Sequence, residues 1–148
     1  MKDWLIGEWD NLRQAQSKPT VYSHVRLSYS LTMDNHIHVT QTYVHDGYVY
    51  RERYHDLVYY SDTEVLVRNW DKDWTRQEDC DMLCVYDPLL EVWVGKGSPN
   101  CRKRDASVES YFRLTESTIE CYDIGVKDGE HIFGGRNPYL FEKVTTNK

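Results

Sequence analysis

Between residues 21 and 31 the chain alternates: Val21, Val25, Leu27, Tyr29 and Leu31 fall on one face, and Tyr22, His24, Arg26, Ser28 and Ser30 on the other. A strand produces this period of two, because its successive side chains point to opposite faces. Asp34-Asn35 reads as a turn and residues 36–45 as a second strand. Asp46-Gly47 is a hairpin signal, since both residues tolerate positive φ, and a third strand follows at 48–59. Further strand-like stretches fall near 64–70, 81–86, 90–94, 107–114, 117–124, 130–134 and 139–145. They are separated by Asp87-Pro88, Gly95 to Pro99, Thr115 to Ser117, Lys127 to Gly129 and Gly134 to Pro138. Only residues 3–16 depart from this rhythm. There Leu5, Trp9, Leu12 and Ala15 recur at helical spacing, Gly7 weakens the pattern and Pro19 stops it, so the reading is one N-terminal helix.

One short helix followed by nine or ten hairpin-connected strands predicts an all-β, up-and-down antiparallel barrel. A sandwich is the alternative. Closure is favoured because it removes unpaired strand edges. The 148 residues show no linker, repeat or low-complexity tract, so a single domain over 1–148 is expected. Twelve Tyr and five Trp supply much of the hydrophobic fraction, giving an interior that is apolar yet able to form hydrogen bonds.

Charge narrows the partners. A net charge of −6 argues against nucleic acid, which requires a basic face. The one basic run, Arg102-Lys103-Arg104 with Lys96 nearby, reads as a solvated loop or as a docking patch for an acidic partner or a carboxylate. No apolar stretch reaches the ~18–20 residues of a membrane span, and Met1–Asp10 lacks the apolar core of a signal peptide. No membrane insertion and a cytoplasmic location are therefore expected, with Cys80, Cys84, Cys101 and Cys121 as free thiols.

Arg26 shares a face with Tyr22 and His24, whereas Arg51 and Arg53 share one with Val49 and His55. By default such arginines face solvent. Turned inward, they suit a ligand with acidic arms, because guanidinium groups form paired, charge-assisted bonds to carboxylates. His36, His38 and His45 have chelating spacing but no completing ligand, and Cys80-x-x-x-Cys84 lacks a second pair, so no metal is expected. Nucleophile elbows, phosphate loops and paired catalytic carboxylates are absent from the sequence, which disfavours hydrolase or kinase chemistry.

Gly7-Glu8-Trp9 matches the short Gly-x-Trp signature of lipocalin-like barrels. A longer ordered set of segments resembles the T-type phycobiliprotein chromophore lyases, the CpcT/CpeT-like family. These are Trp4–Asn11 with Gln14-Ala15, Tyr22–Leu27, Gln41-Thr42-Tyr43, Tyr50–Arg53, Cys80-Asp81, Cys101, and Gly134-Gly135 with Tyr139–Lys143. The loops are short, as in compact versions carried by phages of cyanobacteria, and Asp79 precedes Cys80 where the family more usually has glycine.

The resemblance implies a calycin-type barrel that binds a phycobilin, either phycoerythrobilin or phycocyanobilin. It implies delivery of that pigment to a cysteine on a phycobiliprotein β subunit, and a homodimer. It turns Tyr22, His24, Arg26, Gln41, Arg51 and Arg53 inward, with Tyr43, Tyr50 and Tyr111 against the flat rings. Cys80 and Cys101 become either transient attachment points or structural thiols. A bilin carrier without transfer, and a lipocalin-like carrier of another hydrophobe, remain open alternatives.

Overall fold

The computed structural model describes residues 1–134 and 137–145, so Gly135 of the resemblance lies outside the described residues. Helix α1 (Lys2–Leu5), strand β1 (Gly7–Asp10) and helix α2 (Leu12–Ser17) open the chain. Strands β2 (Val25–Leu31), β3 (Ile37–Tyr43), β4 (Val49–Tyr59), β5 (Glu64–Asp71), β6 (Met82–Asp87) and β7 (Val92–Gly97) follow as a meander. The chain continues with β8 (Arg102–Lys103), β9 (Ala106–Leu114), β10 (Thr118–Lys127), β11 (Glu130–Gly134) and β12 (Tyr139–Lys143).

Every pairing is antiparallel, and ten strands close a ring in the order β1, β2, β3, β4, β5, β6, β7, β9, β10, β12 and back to β1. The two remaining strands extend edges of this barrel: β8 pairs with the start of β9, and β11 with the end of β10. The sandwich alternative is thereby set aside.

The N-terminal segment is not one helix. Leu5 and Trp9 do both point inward, but from a helical turn and from a strand. Gly7 sits between them at φ 145°, a conformation open to glycine, and turns the chain from helix to extended backbone. The fully buried Trp9 indole donates to the Leu5 carbonyl at 3.0 Å. Asn11 then ends the strand. Its side chain donates to the Ser23 carbonyl (2.9 Å) and accepts from the Val25 amide (2.7 Å), replacing the ladder bonds β1 would otherwise make. The barrel is closed by the very segment whose spacing mimics a helix.

Inward residues of the strands form one apolar cluster that includes Leu5, Trp9, Val25, Leu27, Ile37, Val39, Val65, Trp93, Leu114, Ile119 and Phe141. At roughly 1.5–3 kcal/mol for each fully buried large side chain, this cluster is the main stabilising element. Elsewhere the interior mixes polar side chains with apolar ones such as Val108 and Phe112.

Candidate functional site

Strand β4 carries the polar interior. Its inward positions Arg51, Arg53 and His55 lie opposite Gln41, Val39 and Ile37 of β3, so the guanidinium groups enter a barrel whose neighbouring strand is partly apolar. They line an open-mouthed cavity whose free space, counted out to its mouth, is about 670 Å³. Tyr29, Asn69, Met82, Lys103, Ser110 and Asp123 also line it.

Asp123 organises the charges. Arg51 donates to its Oδ2 at 2.5 Å, and the Ser110 hydroxyl donates to Oδ1 at 2.5 Å. Burial alone would raise this carboxyl, but Arg51, Arg53 and the two hydrogen bonds outweigh it and hold it far below the usual carboxylate range. Burial opposes the charge on Arg51 as well, and the bonded Asp123 more than restores it. Arg53 has no such partner. Burial and then the adjacent Arg51 pull it down to about 10, and its Nη1 is buried without a hydrogen-bond acceptor.

Arg53 Nε donates to His55 Nε2 at 3.3 Å, and His55 Nδ1 faces the Arg68 carbonyl at 3.4 Å. Burial first, then Arg53, push His55 well below its ordinary value, so the ring is neutral with its proton on Nδ1. With the two arginines charged and one carboxylate, the cavity carries surplus positive charge and an unpartnered donor. That arrangement binds an anion.

Beyond Arg51 lies a tyrosine cluster. The register shift between Gln41 and Thr42 adds a residue to β4, and Tyr50 stacks on Tyr43 with ring centroids 4.2 Å apart. Tyr22 is buried edge-on against Tyr139 at 5.2 Å, and the Gln41 carbonyl oxygen is buried without a donor. Tyr22 precedes β2, so strand alternation does not govern where it points.

Of the residues picked from sequence, Arg51, Arg53, Cys80 and Cys101 line the cavity; Gln41 pairs with Arg51 across the ladder, and Tyr43 with Tyr50 and Tyr22 with Tyr139 form aromatic contacts outside the lining. Three lie outside. His24 and Arg26 are on the outer face because Val25, Leu27 and Tyr29 occupy the inner one; both bind Asp10 of β1, at 2.8 and 3.1 Å. Tyr111 also points outward, stacked on Tyr122 at 5.4 Å, since Val108, Ser110 and Phe112 are the inward residues of β9.

The thiol expectation needs correcting too. Cys80 and Cys101 form a disulfide that joins the loop before β6 to the loop before β8, so neither offers a thiolate to a ligand. Cys84 and Cys121 are free, and burial pushes each thiol up to about 12. The histidines disperse: His38 bonds Glu52 at 2.6 Å, His36 packs on Trp74 at 5.0 Å, and His45 is exposed beside Asp46. Among the described residues no group of three or more His, Cys, Asp or Glu is placed to hold a metal, and no helix is long and apolar enough to cross a membrane.

Asp123, Ser110, Lys103 and Tyr29 were missed as site residues. The usable signal was alternation in β10, where Ile119, Cys121 and Asp123 share a face and a lone carboxylate ends an otherwise apolar row.

Fold and interior together define a closed antiparallel barrel with a cationic interior cavity. The chain is similar in structure to the T-type phycobiliprotein lyase CpeT from Prochlorococcus phage P-HM1. The TM-score is 0.79 at 23% identity, covering 97% of this chain and 94% of that one. It is also similar to the CRL protein of Arabidopsis, with a TM-score of 0.76 at 15% identity, covering 97% and 95%. No family model and no curated protein sequence matches the chain.

Proposed function

We propose that this barrel binds a phycobilin and delivers it for thioether attachment to a cysteine of a phycobiliprotein β subunit, in the cytoplasm and as a homodimer. The observation that carries the reading is the inward pair Arg51 and Arg53 facing a single carboxylate, Asp123, in one open-mouthed cavity. A bilin presents two propionates for guanidinium groups and pyrrole N–H groups that need an acceptor, and Asp123 is an ionised acceptor beside both arginines. Tyr43 and Tyr50 offer flat faces near Arg51 for the conjugated rings. The likeness to the phage lyase supports the same reading.

In the attachment step the acceptor thiolate adds across the bilin's ethylidene double bond. A carbon–sulfur bond forms, the double bond becomes single, and a proton ends on the adjoining ring carbon. The nucleophile comes from the partner protein, so the barrel's part is to hold the pigment in one orientation and stabilise its protonated ring system with Asp123. Co-expression with a bilin source and a phycobiliprotein β subunit tests this. A covalent, fluorescent β subunit that depends on this chain is expected, and its absence would overturn the transfer.

A further inference from the structure

The basic run at 102–104 does not act as a unit. Arg104 and Asp105, at φ 52° and 62°, form the two-residue turn between β8 and β9, which fixes the register Arg102↔Ser107 and Lys103↔Ala106. Residues paired across a ladder share a face, and Ala106 is fully buried, so Lys103 points into the barrel with it. Arg102 turns outward onto the Asp105 carbonyl at 2.8 Å, and Arg104 lies over the Phe133 ring at 5.5 Å. The turn therefore delivers a single amine from a basic run to the cavity that Arg51, Arg53 and Asp123 also line.

The charges there do not balance. Asp123 is the one carboxylate among the lining residues, and Arg51 already holds it. Arg53 keeps a buried, unpartnered Nη1, and Lys103 makes no ion pair among the described residues. We propose that Lys103 is a second carboxylate anchor of the cavity, working beside Arg53 while Arg51 stays on Asp123. This rests on the reading that the ligand is a dicarboxylic bilin, and assigns one anchor to each acidic arm.

A consequence is proton uptake. Burial and then the charges of Arg51 and Arg53 pull Lys103 down to about 7, with Asp123 opposing. A carboxylate seated on the amine restores the ordinary ammonium, so ligand and proton enter together above neutrality. Other titratable groups face the site. From β4 come Arg51, Arg53 and the neutral His55; from β10, Asp123 and the Cys121 thiol; from β2, Tyr29; and from the N-terminus, the α-amino group of Met1, lowered by burial. The α-amino group could also take up a proton, so variants at Lys103 are needed to separate the two.

The probe is biliverdin, an open-chain tetrapyrrole with two propionates, titrated into the full chain by absorbance and by calorimetry in buffers of different ionisation enthalpy. For the wild type, Kd should rise about tenfold per pH unit above the free value of Lys103, with close to one proton taken up at about pH 8. Lys103→Met should bind about tenfold or more weakly at about pH 6 and take up no proton, while Lys103→Arg should bind tightly with little pH dependence. Biliverdin dimethyl ester should not distinguish wild type from Lys103→Met. If Lys103→Met matches the wild type in affinity and proton uptake, the anchor is overturned and the bilin reading stands. If biliverdin shifts no spectrum in any variant, the bilin reading itself is overturned, and the anchor with it.

Discussion

Replacing Asp123 with asparagine keeps the side chain's shape and removes the charge that Arg51 and Arg53 face. Arg51 and Asp123 are 29% and 30% exposed at their side chains, so water reaches the pair but does not dissolve it. Removing one partner of a fully buried pair costs about 3–5 kcal/mol, chiefly by stranding the other charge, and the exposure here lowers that to about 2–3 kcal/mol. For a domain of this size the loss corresponds to a melting temperature lower by about 6–10 °C. The sign with pH follows from the depressed carboxyl. Its folded value lies below the unfolded one of about 3.9, so the contribution is complete above about pH 5 and disappears as pH falls through the folded value. Thermal unfolding of wild type, Asp123→Asn, Arg51→Gln and the double variant should show a coupling of about 1.5–2 kcal/mol near neutrality. The gap between wild type and Asp123→Asn should narrow below about pH 4. Additive single losses, or a gap unchanged into acid, would refute the pairing.

The remaining tests separate inside from outside and local from global effects. Arg53→Ala should abolish or strongly weaken the spectral shift of added bilin, whereas Arg26→Ala and Tyr111→Phe should leave it unchanged, since both side chains are on the outer face. Reducing the Cys80–Cys101 bond, which spans 21 positions, should destabilise the chain by about 3 kcal/mol on a loop-entropy basis, read as a lower melting temperature with dithiothreitol. The Cys80→Ser/Cys101→Ser variant should then be insensitive to the reductant. Asn11→Ala strands the Val25 amide and the Ser23 carbonyl, and should cost about 2–3 kcal/mol in denaturant unfolding.

Most of the barrel was legible because alternation is a direct consequence of strand geometry. Ten strand segments read from sequence correspond to β2 through β7 and β9 through β12. The two missed strands are short, and each is hidden by a competing pattern. In β1, Leu5 and Trp9 stand four apart, which reads as one helical face, while a single glycine at φ 145° makes them neighbours by another route. In β8, two residues leave no period to detect, and its basic composition reads as loop.

The site was harder to read because alternation assigns faces without saying which face is inside. On β4 the inward row is Arg51, Arg53 and His55, and on β2 it is Val25, Leu27 and Tyr29. Polarity alone would have put the first row outside, and the resemblance put His24 and Arg26 inside. What decides both cases is the neighbour. Asp10 on the outer face of β1 supplies a partner for His24 and Arg26, so β2 turns its apolar row inward. Asp123 on the inner face of β10 supplies one for Arg51, which offsets the cost of burying that row. These partners lie 14 to 72 positions away in sequence, and only closure of the barrel brings each carboxylate to its base. Arg53 and Lys103 are the cations left over after that pairing, and an acidic ligand would supply the counter-charge that Asp123 gives to Arg51.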